Sequence, residues 1–393
     1  MTPPADPSGV PAFFDGARLT LARQLAGLRK SGLAQLVDAS ATAVAAWESG
    51  AKHPTAANVK RLALSLRVDP GFFAMRPEDI AALCSTPHFR SLRSTTQLAR
   101  DQAFAYGQLA VDIAASLEKH VEYPEPDRPS FPVEIEAPDG PGAGPGAGDA
   151  TPEDAARYVR RRWEMAPGPA PHLVRLLENH GVLVVFSPPQ AASVDAYSFD
   201  SRLRPVVVLN PVKHDYYRQR FDVAHELGHL VMHTDAEPGG RTVEDQANRF
   251  AAELLMPAAE IRGLLPEAMN AAAWPALARL KEHWGTSLQA LLYRARRLGA
   301  LSEVSYRNAM NTLATRGWRR GEPGLVTVLE QPSILPRAVE LLAAEGITEE
   351  ALVDQCRIPA AIFRTVTSRT PVPAGYQEAP SAPDLSRVVS LFN

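Results

Sequence analysis

Phe221-Asp222-Val223-Ala224-His225-Glu226-Leu227-Gly228-His229-Leu230-Val231-Met232-His233 is the stretch on which the reading of this 393-residue chain turns. Phe221, Ala224, Leu227 and Leu230 recur at helical spacing, which predicts a helix with one buried face. His225 and His229 then stand one turn apart, so both imidazoles can reach a single ion. Glu226 lies beside them, placed to take a proton from metal-bound water. This H-E-x-x-H arrangement binds zinc and activates water for peptide hydrolysis. The competing reading is an ordinary amphipathic helix whose histidines happen to fall four apart.

Downstream, Glu244-Asp245-Gln246-Ala247-Asn248-Arg249-Phe250-Ala251-Ala252-Glu253-Leu254-Leu255-Met256 reads as a second helix, ended by Pro257. Ala247, Phe250, Ala251, Leu254 and Leu255 form its core face. Glu244 and Asn248 lie one turn apart near its start, so Glu244 can supply a third, oxygen ligand and leave a fourth position for water. Glu253 is the competing carboxylate and is expected to face solvent. His233 extends the histidine column, yet three histidines along one straight helix cannot converge on one tetrahedral ion. It is expected, like Asn248, to support a ligand rather than be one. His214, Tyr216 and Tyr217 are close enough in sequence to line a cleft, with no role assigned.

The pairing of A-H-E-L-G-H-L-x-x-H with E-x-x-A-N-R-F-A-A-E-L-L-M-P resembles the ImmA/IrrE family of zinc metallopeptidases. The resemblance implies zinc (Zn2+) held by His225, His229 and Glu244, with Glu226 as general base. It also implies a zincin-like fold and a repressor-like or stress-response protein as substrate.

Working outward, the length favours two or three domains. Hydrophobic residues make up 45% and charged residues 22%, as in a soluble globular protein, and the net charge of −3 excludes no partner class until it is divided by region. Cys84 and Cys356 are the two cysteines, far apart and outside any C-x-x-C pattern, which fits a reducing cytoplasm. No apolar run approaches membrane length and no signal-like pattern opens the chain, so a cytoplasmic protein without a membrane segment is expected.

From Arg18 to Phe73 the pattern is one of short helices: Leu19 to Lys30, Leu33 to Val37, Thr42 to Ser49, one capped by Thr55, and a fifth opened by Asp69-Pro70. A tight turn at Asp38-Ala39-Ser40 makes this a helix-turn-helix arrangement. The segment L-A-Q-L-V-D-A-S-A-T-A-V-A-A-W-E-S-G-A-K-H-P-T resembles the XRE (phage-repressor-like) DNA-binding family, which implies double-stranded operator DNA as partner and a homodimer on paired half-sites. Gln35, Thr42, Ala45, Ser49 and Lys52 are the expected DNA-binding residues. Arg18, Arg23, Arg29, Lys30, Lys52, Lys60, Arg61 and Arg67 make the module basic, as phosphate binding needs. The recognition helix is rich in alanine, so direct base readout is thin, and phosphates, DNA shape and dimerisation carry more of the affinity.

The expected architecture is mainly α with a small β-sheet (α+β). An N-terminal five-helix helix-turn-helix domain spans 16–80, a connecting helix 85–123, and a flexible Pro/Gly-rich linker 124–150 that separates regulator from peptidase. A zincin-like metallopeptidase domain follows over 151–300, with strands at Val182 to Phe186, Ala196 to Phe199 and Val206 to Leu209. Residues 301–393 form a helical C-terminal region and a tail whose Val388 to Phe392 segment is a docking candidate. The arrangement resembles fused bacterial transcription regulators. It suggests a DNA-binding regulator carrying a zinc-dependent peptidase. One alternative is a non-proteolytic transcription factor that uses the ImmA/IrrE-like domain as a ligand or partner sensor; another is self-cleavage in the linker.

Overall fold

The fold is given by a computed structural model that describes residues 9–74, 87–89, 95–134, 150–188, 194, 196–211, 215–233, 239–319, 321–324 and 328–371. Residues 75–80 of the expected first domain, Cys84, Arg90 to Arg93, His214 and the tail segment Val388 to Phe392 lie outside the described residues. The fold is mainly α with a small sheet, as expected.

The N-terminal end is built from α1 (Gly16–Leu25), α2 (Lys30–Leu36), α3 (Ala41–Glu48) and α4 (Ala56–Leu66). Asp15, Ser40 and Thr55 cap α1, α3 and α4 by accepting from backbone N–H groups in the first turn. The first helix stops at Leu25 rather than Lys30, because Gly27 turns into the left-handed region at φ +64°. The fifth element is a 3-10 turn at Pro70–Ala74, where Phe72 and Phe73 are buried.

The sheet has the order β1-β3-β4-β2, with β1 at His88–Phe89, β2 at Leu183–Phe186, β3 at Tyr197–Phe199 and β4 at Val206–Leu209. The β2–β4 pair is parallel and the other two are antiparallel. Alternation along the strands feeds two different cores. Leu183, Val185, Tyr197, Phe199, Val206 and Val208 join the core of the helix-turn-helix module, while Val184, Phe186, Ala196, Val207 and Leu209 join that of the second module. Both faces are covered, which is why β2 and β4 read as unbroken apolar runs.

Helix α5 (Gln97–Glu118), capped by Thr96, covers the first face. Its Tyr106 hydroxyl donates to the Phe186 carbonyl at 2.9 Å, and Tyr197 donates to the Ala103 carbonyl. A Cβ on Gly107 would lie 2.7 Å from the Phe199 ring, so only glycine allows this approach. The same helix holds the N-terminal module: Gln102 donates to the Leu25 carbonyl at 2.9 Å, and buried Arg18 pairs with buried Asp112 at 2.5 Å. The connecting helix is therefore packed on both modules at once.

The opposite face of the sheet carries α8 (Tyr216–Met232), which packs on α9 (Arg241–Leu255). Gly228 lets the two approach, since a Cβ there would lie 3.0 Å from Phe250. Around this pair stand α6 (Pro152–Arg162) with its Thr151–Asp154 capping box, α7 (Leu173–Asn179), the short α10 (Ala258–Ile261), α11 (Ala273–Trp284), α12 (Leu288–Arg297) and α13 (Glu303–Thr315). Three last helices, α14 (Ile334–Ala344), α15 (Glu349–Cys356) and α16 (Ala360–Val366), return to the first core beside α5. The C-terminal region is thus divided: Ala309 and Leu313 of α13 belong to the second core, and α14 to α16 to the first.

The flexible linker expected over 124–150 needs correction in its first part. Residues 124–134 run as an extended strap along the second module. Asp127 accepts from Arg162 at 2.6 Å and from Trp163 at 3.0 Å, and the Arg162 guanidinium holds its carboxyl below the usual range. Phe131 N donates to the Val231 carbonyl at 2.9 Å, and Val133 is buried. These bonds satisfy a backbone that the proline-rich composition alone leaves without partners. Residues 135–149 lie outside the described residues. Because the strap is packed and α5 contacts both modules, residues 124–134 do not act as a spacer between them.

Candidate metal centre and DNA-reading surface

Helix α8 enters the fold with Asp215 capping its first turn, and its central turns are buried against the sheet and α9. His225, Glu226 and His229 are all fully buried. The i, i+4 spacing brings the two histidines together, with Nε2 to Nε2 at 3.0 Å. Helix α9 starts at Arg241, so Glu244 falls in its first turn and points back at that pair. Its Oε2 lies 3.4 Å from His225 Nε2 and its Oε1 3.7 Å from His229 Nε2. One ligand atom from each of the three residues lies within 4.8 Å of the others.

The donor set fits a zinc ion. Two imidazole nitrogens and a carboxylate oxygen are the ligand types of a catalytic zinc site. Glu244 Oε1 is buried and has no hydrogen-bond partner among the described residues, a costly state for an anionic oxygen unless a cation sits nearby. His225 Nδ1 lies 3.1 Å from the Asn248 side-chain amide, a contact that holds the ring with Nε2 toward the centre.

Ser198, in the middle of β3, faces α8 and donates to Glu226 Oε2 at 2.8 Å. Its alternation partners Tyr197 and Phe199 face α5 on the other side. Sequence reasoning missed this serine; a lone polar residue inside an apolar strand was the available signal. His233 caps the end of α8, with Nδ1 3.0 Å from His229 Nδ1 and Nε2 2.9 Å from Gln246 Oε1. It does not reach the ligand cluster, in line with a supporting place, and burial pushes its pKa down. Gln246 was also missed, although it shares a helix with Glu244.

Glu253 corrects the expectation of a solvated carboxylate. It is buried, paired with Arg294, and 3.3 Å from Arg157. Arg294 also donates to the Met256 carbonyl at 3.0 Å, so two guanidinium groups supply the charge that burial demands. A cleft of about 250 Å³ is lined among others by Asp215, Phe221, Asp222, Asn248, Tyr293 and Tyr306. Its link to the centre is Asn248, which meets the His225 ring at Nδ1; the cleft lining does not include His225, Glu226, His229 or Glu244.

In the N-terminal module, Gln35, Thr42, Ser49 and Lys52 are exposed and Ala45 is half-buried. They lie on α2, on α3 and just beyond it, with Val44 and Trp47 turned into the core. Two of the expected basic residues are structural instead. Arg18 is committed to Asp112, and Arg23 bonds buried Glu48 at 2.5 Å, where Lys30 also pairs at 3.2 Å. Arg29, Lys52, Lys60, Arg61 and Arg67 remain exposed.

Comparison with known families agrees with this division. Residues 19–73 match the helix-turn-helix family model, and residues 177–296 match that of the IrrE N-terminal-like domain, a peptidase family. Comparison with curated proteins gave no match. The second match spans α7 to α12 and so contains every residue of the candidate metal centre. Among the described residues, no helix is long and apolar enough to cross a membrane.

Proposed function

We propose that this chain, a DNA-binding regulator joined to an IrrE-like domain, is a zinc-dependent endopeptidase acting on a repressor-like or stress-response protein. The observation that carries the reading is the convergence of His225 Nε2, His229 Nε2 and the Glu244 carboxylate, with Glu226 beside them on α8. His225, His229 and Glu244 are the residues that would hold zinc. When bound, zinc polarises the scissile carbonyl and acidifies a water molecule.

The remaining roles belong to the protein. Glu226 takes the proton from the attacking water and delivers it to the leaving amine. Ser198 fixes the plane of that carboxylate through its bond to Oε2, so the base is aimed before substrate arrives. Asn248 sets the His225 ring, and the cleft beyond it receives the substrate chain. At the other module, Gln35, Thr42, Ala45, Ser49 and Lys52 face operator DNA, with exposed cations on the phosphates. Binding as a homodimer to paired half-sites follows from how such modules read DNA. The two widely separated thiols accord with a reducing cytoplasm.

The test incubates purified full-length protein and zinc with candidate repressor proteins, alongside a Glu226→Gln variant. Cleavage at one site by the wild type and its loss in the variant are expected. Equal cleavage by both defeats the mechanism. A second reading is favoured by α5, which bonds the helix-turn-helix module at Leu25 and the sheet at Phe186. In that reading the metal centre senses a ligand or partner and adjusts operator binding without proteolysis. Absence of cleavage together with operator affinity that changes on zinc addition would select it.

A further inference from the structure

Behind His229 runs a chain of polar contacts that ends on the main chain of the strap. Gln246 Nε2 donates to the Glu134 carbonyl at 2.8 Å. A carbonyl cannot donate, so this bond fixes which end of the Gln246 amide is nitrogen and turns Oε1 toward His233. His233 Nε2 lies 2.9 Å from that oxygen, which only accepts, so Nε2 carries the proton. On a singly protonated ring His233 Nδ1 is then an acceptor. It faces His229 Nδ1 at 3.0 Å, and the proton between them belongs to His229. With Nδ1 protonated, His229 Nε2 turns a lone pair toward Glu244 and His225.

We propose that Gln246 and His233 are positioning residues, a relay anchored on the Glu134 carbonyl that sets the His229 tautomer for metal binding. This rests on the reading of His225, His229 and Glu244 as a zinc centre, but the relay itself exists without metal. Outer partners of this kind commonly alter metal affinity about 10–100-fold. The arrangement also gives the third histidine of the column a task that direct ligation cannot: its distance along α8 keeps it out of the cluster while its ring still reaches His229.

The experiment is nitrogen NMR on metal-free, full-length protein with ¹⁵N-labelled histidine, at a pH well above the ordinary histidine value of about 6.5. The expected result is His229 protonated on Nδ1 and His233 on Nε2. His229 carrying its proton on Nε2, or His233 on Nδ1, overturns the proposal. Gln246→Leu removes the acceptor and is expected to mix the His229 tautomers and weaken zinc about 10–100-fold in a chelator competition. Gln246→Glu keeps an acceptor oxygen and is expected to keep the wild-type tautomer; unchanged tautomers in both variants also overturn it. Should Gln246→Leu fail to fold, the wild-type spectrum still decides. Expected tautomers in a protein that never binds zinc would defeat the zinc reading and leave the relay standing.

Discussion

Glu244 and Glu253 are two carboxylates on one helix with opposite fates, and the neighbours of each decide which. Glu253 is enclosed by Arg294 and Arg157, whereas Glu244 faces two imidazoles and one of its oxygens has no hydrogen-bond partner among the described residues. Glu253→Ala strands a buried guanidinium and is expected to cost about 3–5 kcal/mol, read as a lower denaturant midpoint. Glu244→Gln leaves the fold in place and is expected to abolish stoichiometric zinc in metal analysis; full retention of zinc would remove Glu244 from the ligand set. His225, Glu226 and His229 were legible because a helix converts a spacing of four into proximity. Ser198 and Gln246 were not, because their contacts depend on which strand or helix packs opposite, a tertiary outcome that periodicity does not encode. The misplacement of Glu253 in solvent has the same origin, since Arg294 lies on a different helix.

At the level of elements, caps and apolar runs made most of the fold readable. Thr55, Thr96 and Thr151 each cap the helix that follows, and β4 spans the expected residues. Strand β1 was not foreseen, since two residues show no alternation and the strand is defined by backbone pairing with β3. Helices α13 and α16 fall in the helical region expected over 301–393 without bounds of their own, the latter because its seven residues are too few to show a period. The α5–sheet contact makes a sharp prediction. Gly107→Val forces a side chain against Phe199 and is expected to destabilise by about 1–3 kcal/mol, measured by chemical denaturation, and wild-type stability would refute the close approach. On the DNA-reading face, Lys52→Ala is expected to weaken operator and random DNA alike and to lower the salt slope by about 1, in a titration over salt concentration. A loss confined to one operator sequence would mean that Lys52 reads bases instead.

On the scale of the whole molecule, the linker expectation gives way over residues 124–134 for a reason visible in the strap. Proline-rich sequence has little to gain from self-association, but here its backbone bonds to α8 and its Asp127 to α6. With α5 built into the first core and its tyrosine bonded to the sheet, the modules share packing rather than hang from a tether. Calorimetry of the metal-free protein is accordingly expected to give one cooperative unfolding transition; two well-separated transitions would contradict the packing that the modules share through the sheet.

Helix α5 also fixes a rotational phase. Gln102 grips the first module and Tyr106, about one turn further on, grips the sheet. Adding a single residue between them would swing one attachment about 100° around the axis relative to the other. The helix behaves as a keyed shaft: its length in residues, more than its composition, dictates the angle at which the DNA-reading face is presented to the rest of the chain.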